Sequence, residues 1–179
     1  MRKLFIAAFM FVSSFGSNVM ADGHSIKMGI ILGFTGPIES LTPAMAASAE
    51  LAFKEASDSG SLLGGKKIEA MRADSTCVDS AAATAAAEGL ISGGVAAIMG
   101  ADCSGVTGAI ATNVAVPNGV VMISPSATSP GLTDLNDNGY FFRTAPSDAR
   151  GGQILADICL LYTSPSPRDQ RGSRMPSSA

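Results

Sequence analysis

The chain has 179 residues, yet no tryptophan, one histidine, three cysteines and only 15% charged side chains. Each scarcity excludes something. The histidine is His24, close to the N-terminus. Its position removes most Ser–His and Cys–His nucleophile schemes, which need an imidazole beside the attacking atom. Ser104 sits in no G-x-S-x-G elbow, so no catalytic residue is assigned. Asp74, Asp79 and Asp102 lack the spacing of a metal loop, and neither a metal nor a cofactor is expected. The segment Leu32-Gly33-Phe34-Thr35-Gly36-Pro37 lacks G-x-G-x-x-G, and Pro37 spoils the helix start a dinucleotide would need. Basic clusters are missing as well. The formal net charge is −3, and within residues 22–158 acidic side chains outnumber basic ones two to one. That balance argues against nucleic acid as a partner. Long apolar runs are confined to residues 4–12, too short to span a bilayer comfortably.

That short run belongs to a secretion signal covering residues 1–21. Arg2 and Lys3 supply its positive end, and Val19-Met20-Ala21 its small-residue cleavage site, with the cut expected after Ala21. No lipobox-type cysteine follows, so a soluble exported protein is expected. The other end reads as non-native. Cys159-Leu160-Leu161-Tyr162-Thr163-Ser164-Pro165-Ser166-Pro167-Arg168-Asp169 resembles a translated transposon adapter from sequencing libraries. Ser173-Arg174-Met175-Pro176-Ser177-Ser178-Ala179 resembles the flow-cell primer, with residues 170–172 where a barcode would fall. On this reading residues 159–179 are an adapter-derived tail without settled structure, and the chain is a fragment. Residues 22–158 still suffice for one domain with a real core.

Between these ends, apolar runs alternate with helical patterns. Residues 25–34 read as a first strand, apolar nearly throughout as in a strand covered on both faces. Thr42-Pro43 opens a helix, with Thr42 as N-cap and Pro43 at the first position. Met45, Ala49, Ala52, Phe53 and Ala56 fall on one face of it. Residues 66–74 form a second strand with Ile68, Ala70 and Met71 inward. Asp79 caps an alanine-rich helix over residues 80–92, which Gly93-Gly94 stops. Strands at 95–99, 120–123 and 140–143 follow, with helices over 106–114 and from Asp148 to Ile158. Alternation of this kind predicts an α/β fold: a parallel sheet in three layers, helices on both faces, joined by right-handed crossovers. All strand carboxyl ends then share one edge. The turns at Thr35, Cys77, Ser104 and Ser126 converge there, where open α/β sheets bind ligands.

The strongest candidate on that edge is Met99-Gly100-Ala101-Asp102-Cys103-Ser104-Gly105, a strand-to-helix turn. Its free N–H groups and Ser104 suit a carboxylate. The same residues suit a plain helix cap. In the next loop, Ser126 and Thr128 can complete a zwitterion site, or simply structure a Pro-bounded loop.

The order and wording of these motifs resemble a known family. Gly33-Phe34-Thr35-Gly36-Pro37, Asp74-Ser75-Thr76-Cys77, Gly100-Ala101-Asp102-Cys103-Ser104, Ser124-Pro125-Ser126-Ala127-Thr128-Ser129-Pro130 and Phe142-Arg143-Thr144-Ala145-Pro146-Ser147-Asp148 are similar to the N-terminal lobe of type I periplasmic binding proteins. These are the branched-chain amino-acid receptors of ABC importers. The resemblance implies a two-lobe fold truncated here to one lobe, residues 22–146, with 147–158 beginning the crossover to the second. It implies ligand binding without catalysis, a periplasmic location, a membrane permease as partner and a monomeric state. It places Ser104, beside Cys103, on the ligand carboxylate. The backbone at Ser126 and Ala127 and the hydroxyl of Thr128 take the two ligand charges. The family's aromatic residue near the first helix start is Leu41 here. A small-molecule sensor on the same fold, for amides or urea, is the alternative, and an α/β enzyme a further one. Cys77 and Cys103 are the only cysteines outside the leader and the tail. An oxidising compartment and a shared sheet edge predict that they form a disulfide.

Overall fold

The computed structural model describes residues 25–163. The leader, the cut after Ala21, His24 and residues 164–179 lie outside the described residues. Chain order is β1 (Ser25–Leu32), α1 (Thr42–Asp58), β2 (Lys67–Asp74), α2 (Ser80–Ser92), β3 (Ala97–Gly100), α3 (Ser104–Ile110), β4 (Val121–Ser124), β5 (Phe141–Arg143) and α4 (Asp148–Thr163). A π-helical turn, Ala111–Ala115, prolongs α3. The five strands form one sheet in the order β2-β1-β3-β4-β5, and every pair is parallel.

The apolar run of β1 is explained by its place inside the sheet. Ile30, Ile31 and Leu32 are all fully buried, and alternate residues serve opposite faces. Ile30 and Leu32 pack with Met45, Ala46, Ala49 and Phe53 of α1. Ile31 joins Ile98, Met122 and Phe141 from β3, β4 and β5. Against them lie Ala83, Ala87 and Leu90 of α2 and Val106 and Ile110 of α3. Helices therefore cover both faces, giving the three layers expected. Asp79 caps α2, accepting from the N–H groups of Ala81 and Ala82 at 2.9 and 3.0 Å.

Several local expectations are corrected. Thr42 does not cap α1, because Leu41 occupies the cap position without a side-chain bond. Thr42 is buried and donates to the Gly33 carbonyl at 3.0 Å, tying α1 to the end of β1. Ala46 rather than Ala52 faces the sheet, and Ala52 is exposed. Ala70 is also exposed, since β2 is an edge strand that α1 and α2 cover only in part. Residues 159–163, expected to have no settled structure, continue α4, which runs on to Thr163. From Asp148 to Tyr162 every side chain of α4 is exposed, so that helix is one of local propensity and not of packing.

Candidate functional site

Parallel strands deliver the loops after β1, β2, β3 and β4 to one edge of the sheet, and Asp102 joins them. It is 4% exposed. Its Oδ2 accepts the Gly33 N–H at 2.8 Å, and its Oδ1 accepts the Cys103 N–H at 2.8 Å and the Ser75 hydroxyl at 3.3 Å. Its carbonyl accepts the Ser126 hydroxyl at 3.1 Å. A buried carboxylate needs such partners, and here all of them are backbone amides or hydroxyls. Asp102 thus braces four loops. Asp79 is a helix cap and Asp74 serves a different loop, so the three acids share no centre. Among the described residues no group of three His, Cys, Asp or Glu is placed to hold a metal ion.

The β1 and β2 loops are laced together separately. Asp74 accepts the Thr35 hydroxyl at 2.6 Å and the Thr76 N–H at 2.8 Å. Burial pushes its carboxyl upward, but the hydrogen bonds from Thr35, Thr76 and Phe34 outweigh it and hold the group below the usual aspartate range. The loops touch at Gly36, where φ is +95° and a Cβ would lie 2.6 Å from the Thr76 carbonyl oxygen. Cys77 and Cys103 form the expected disulfide, with Cα atoms 5.2 Å apart. It fastens the β2 loop to the turn that carries Ser104.

Ser104 is the first residue of α3, and it is not the cap. Cys103 holds that position without a side-chain bond. The Ser104 Oγ instead accepts the N–H groups of Thr128 and Ser129, both at 3.1 Å. Two incoming donors fill the acceptor capacity of a hydroxyl and leave its proton to give away. Cys103 is committed within the protein: its N–H goes to Asp102 and its carbonyl accepts from both the N–H and the hydroxyl of Thr107. Ala127 is fully buried. Its N–H donates to the Ser124 Oγ at 3.0 Å, and its carbonyl faces the Arg143 guanidinium at 3.4 Å. Both backbone groups of Ala127 thus make hydrogen bonds within the protein. Ser126 lies exposed in the same turn. The Thr128 hydroxyl donates to Asp148 Oδ2 at 2.8 Å, and the Thr128 carbonyl accepts the Asp148 N–H at 2.9 Å.

The structure thus brings Ser104, Ser126 and Thr128 to one place. It adds two residues that sequence reasoning missed as part of this site. Asp148, exposed at the start of α4, supplies a carboxylate beside Thr128. Asp102 supplies the brace. An acid opening a helix after Pro146-Ser147 reads as a cap. An acid between Ala101 and Cys103, in a chain so poor in charge, was the available signal for a buried partner. The arrangement offers a hydroxyl proton for an anionic group and, from Thr128 and Asp148, oxygens for a cationic one.

Comparison with known proteins agrees with this fold. A family model described as "Periplasmic binding protein" matches residues 25–158. The chain is 32% identical over 156 residues to the leucine-, isoleucine-, valine-, threonine- and alanine-binding protein of Pseudomonas aeruginosa, covering 86% of this chain and 39% of that protein. Among solved structures, a branched-chain amino acid transporter substrate binding protein from Streptococcus pneumoniae, in complex with isoleucine, superposes with TM-score 0.62 and 33% identity. That match covers 69% of this chain and 34% of the other. A solute binding protein from R. palustris in complex with benzoate gives TM-score 0.66 at 25% identity, covering 77% of this chain and 37% of the other. The chain spans about two-fifths of the length of the curated relatives it matches.

Proposed function

The chain belongs to the periplasmic binding protein family, and on that footing we propose that it supplies one lobe of a receptor for a small amino acid, delivered to the permease of an ABC importer. Residues 22–146 form the lobe and 147–158 begin the crossover to a second one. Residues 1–21 are the export leader, cut after Ala21 to release a monomer into the periplasm. The receptor binds and does no chemistry.

One observation carries this reading: Ser104 Oγ accepts two amides and keeps its proton for an incoming carboxylate. A ligand ammonium is taken by Thr128 and Asp148, whose mutual hydrogen bond is exposed and replaceable, and by the Ser126 carbonyl. The names of the relatives support the carboxylate half. Leucine, isoleucine and benzoate share a carboxylate and little else, and relatives of this chain take each of them. The benzoate complex favours a second reading, an aromatic or other simple acid as ligand. Asp148 argues against it, because a carboxylate at that end suits a cation.

One lobe leaves the ligand wet on one side. Hydrogen bonds there contribute about 1 kcal/mol each, which predicts binding no tighter than about millimolar. The test is an NMR titration of the chain with L-leucine, leucinamide and benzoate. Leucine is expected to shift the Thr128 and Ser129 amide resonances most, leucinamide least. Amides that ignore all three compounds would defeat the reading.

A further inference from the structure

We infer that Arg143 is the positioning residue that turns Ser104 toward the ligand, by holding the loop whose peptide groups meet the Ser104 hydroxyl. The inference deepens the proposed carboxylate site and rests on it. Arg143 ends β5 and is only half-buried, yet among the described residues its guanidinium meets no carboxylate in an ion pair. It donates instead to the loop after β4. Nη1 reaches the Ser129 carbonyl at 2.7 Å and the Ala127 carbonyl at 3.4 Å, and Nη2 reaches the Thr133 hydroxyl at 2.5 Å.

Planar trans peptides set the consequence. The C=O and N–H of one peptide point in opposite directions. The peptide joining Ala127 to Thr128 has its oxygen toward Arg143 and its N–H on Ser104 Oγ. The next peptide has its oxygen on the Asp148 N–H and its own N–H on the same Oγ. Ser104 therefore sits at the meeting point of two peptides, each pinned from behind. A cation on the oxygen of a peptide strengthens its N–H as a donor. Arg143 accordingly backs one of the two donors on Ser104, the Asp148 N–H backs the other, and the bond from Arg143 to the Ser129 carbonyl fixes the loop just beyond them. The Arg143 fork lets one side chain hold Ser129, Ala127 and Thr133 together from two separate nitrogens, which the single ammonium of a lysine reproduces only in part.

The experiment uses the whole chain as wild type, Arg143→Met, Arg143→Lys and the mild surface change Thr133→Val. Amide hydrogen exchange is read without ligand. Thr128 and Ser129 are expected to exchange about tenfold faster in Arg143→Met, with Arg143→Lys and Thr133→Val in between, while the Gly33 amide on Asp102 is unaffected. Leucine and leucinamide are then titrated. Wild type prefers leucine, and Arg143→Met loses that preference. A general weakening of the fold would lower both affinities alike and keep their ratio. Thr128 exchange at the wild-type rate, or a leucine preference kept in Arg143→Met, overturns the inference. A wild type that does not distinguish the two compounds overturns the carboxylate reading, while the exchange rates still decide whether Arg143 holds the loop.

Discussion

The edge of the sheet that carries the candidate site is held in two different ways. On the side of β1, β2 and β3, the loops are joined by a disulfide, by the buried carboxylate of Asp102 and by Asp74 on Thr35. On the side of β4 and β5, the bonds run through neutral hydroxyls, one guanidinium and an exposed contact between Thr128 and Asp148. The first side is tied by a covalent link and a buried carboxylate, with the exposed bond of Asp74 to Thr35 added at its rim. The second is tied by links that a ligand can exchange for its own. A binding site benefits from both, because fixed donors lower the ordering cost while exchangeable ones supply the response to ligand. The Ser104 hydroxyl lies on the seam, on an element fixed by the first side and with its acceptors filled by the second.

Breaking the fixed side is expected to have the largest effect. The Cys77–Cys103 link closes 26 positions. The double substitution Cys77→Ser with Cys103→Ser is expected to cost about 3.5 kcal/mol in the chain-entropy account. Denaturant unfolding of the oxidised wild type beside the double variant measures it. An equal midpoint would mean the noncovalent lacing already fixes these loops.

Next comes Asp102. Its removal in Asp102→Ala leaves the buried Gly33 amide and the half-buried Cys103 amide without an acceptor, at about 3 kcal/mol in total. Exchange at those two amides is expected to rise together. The contrasting change, Ser104→Ala, strands two half-buried amides on the exchangeable side. It is expected to cost about 1–2 kcal/mol of stability. It is also expected to abolish the preference for leucine over leucinamide. If Ser104→Ala proves as damaging to stability as Asp102→Ala, the two sides do not differ in the way described.

Much of this edge was legible in the sequence. The alternation of apolar runs and helical patterns gave the layers, and Asp79 was readable as a cap because its partners lie two and three residues on. The disulfide followed from a count of cysteines. What escaped was long-range and polar. Gly33 and Asp102 are 69 positions apart, and Thr128 and Asp148 are 20 apart. No local pattern links such pairs. Thr42 misled for the same reason: a threonine before proline is a good local cap, but the carbonyl of Gly33 was the stronger partner. Ala46 and Ala52 were confused because a helix of many alanines has no sharply marked face.

A smaller effect is expected from acid. Asp74 is held below the ordinary value near 3.8. Its contribution is therefore complete above that value and is lost as pH falls through the lower folded-state value. Stability on this account declines below about pH 4. Asp74→Asn and Thr35→Val should each flatten the decline, seen as a smaller difference in Tm between about pH 6 and pH 3. Wild-type steepness in both variants would assign the acid sensitivity elsewhere.

The smallest effect is expected at α4, outside both sides of the comparison. Its described side chains are exposed throughout, Leu160, Leu161 and Tyr162 at 69, 77 and 84%. A helix that buries nothing contributes only its own marginal propensity. Its tie to the site is at the first turn, where Asp148 meets Thr128. Ending the chain after Ile158 leaves that turn and two more in place. The truncated chain should match the parent within about 0.5 kcal/mol, and should be more soluble for the loss of three exposed apolar side chains. Its Thr128 amide should exchange as in the parent. Faster exchange there would show that the far end of α4 steadies Asp148. The exchangeable side of the site would then depend on the full length of a helix whose first turn meets Thr128.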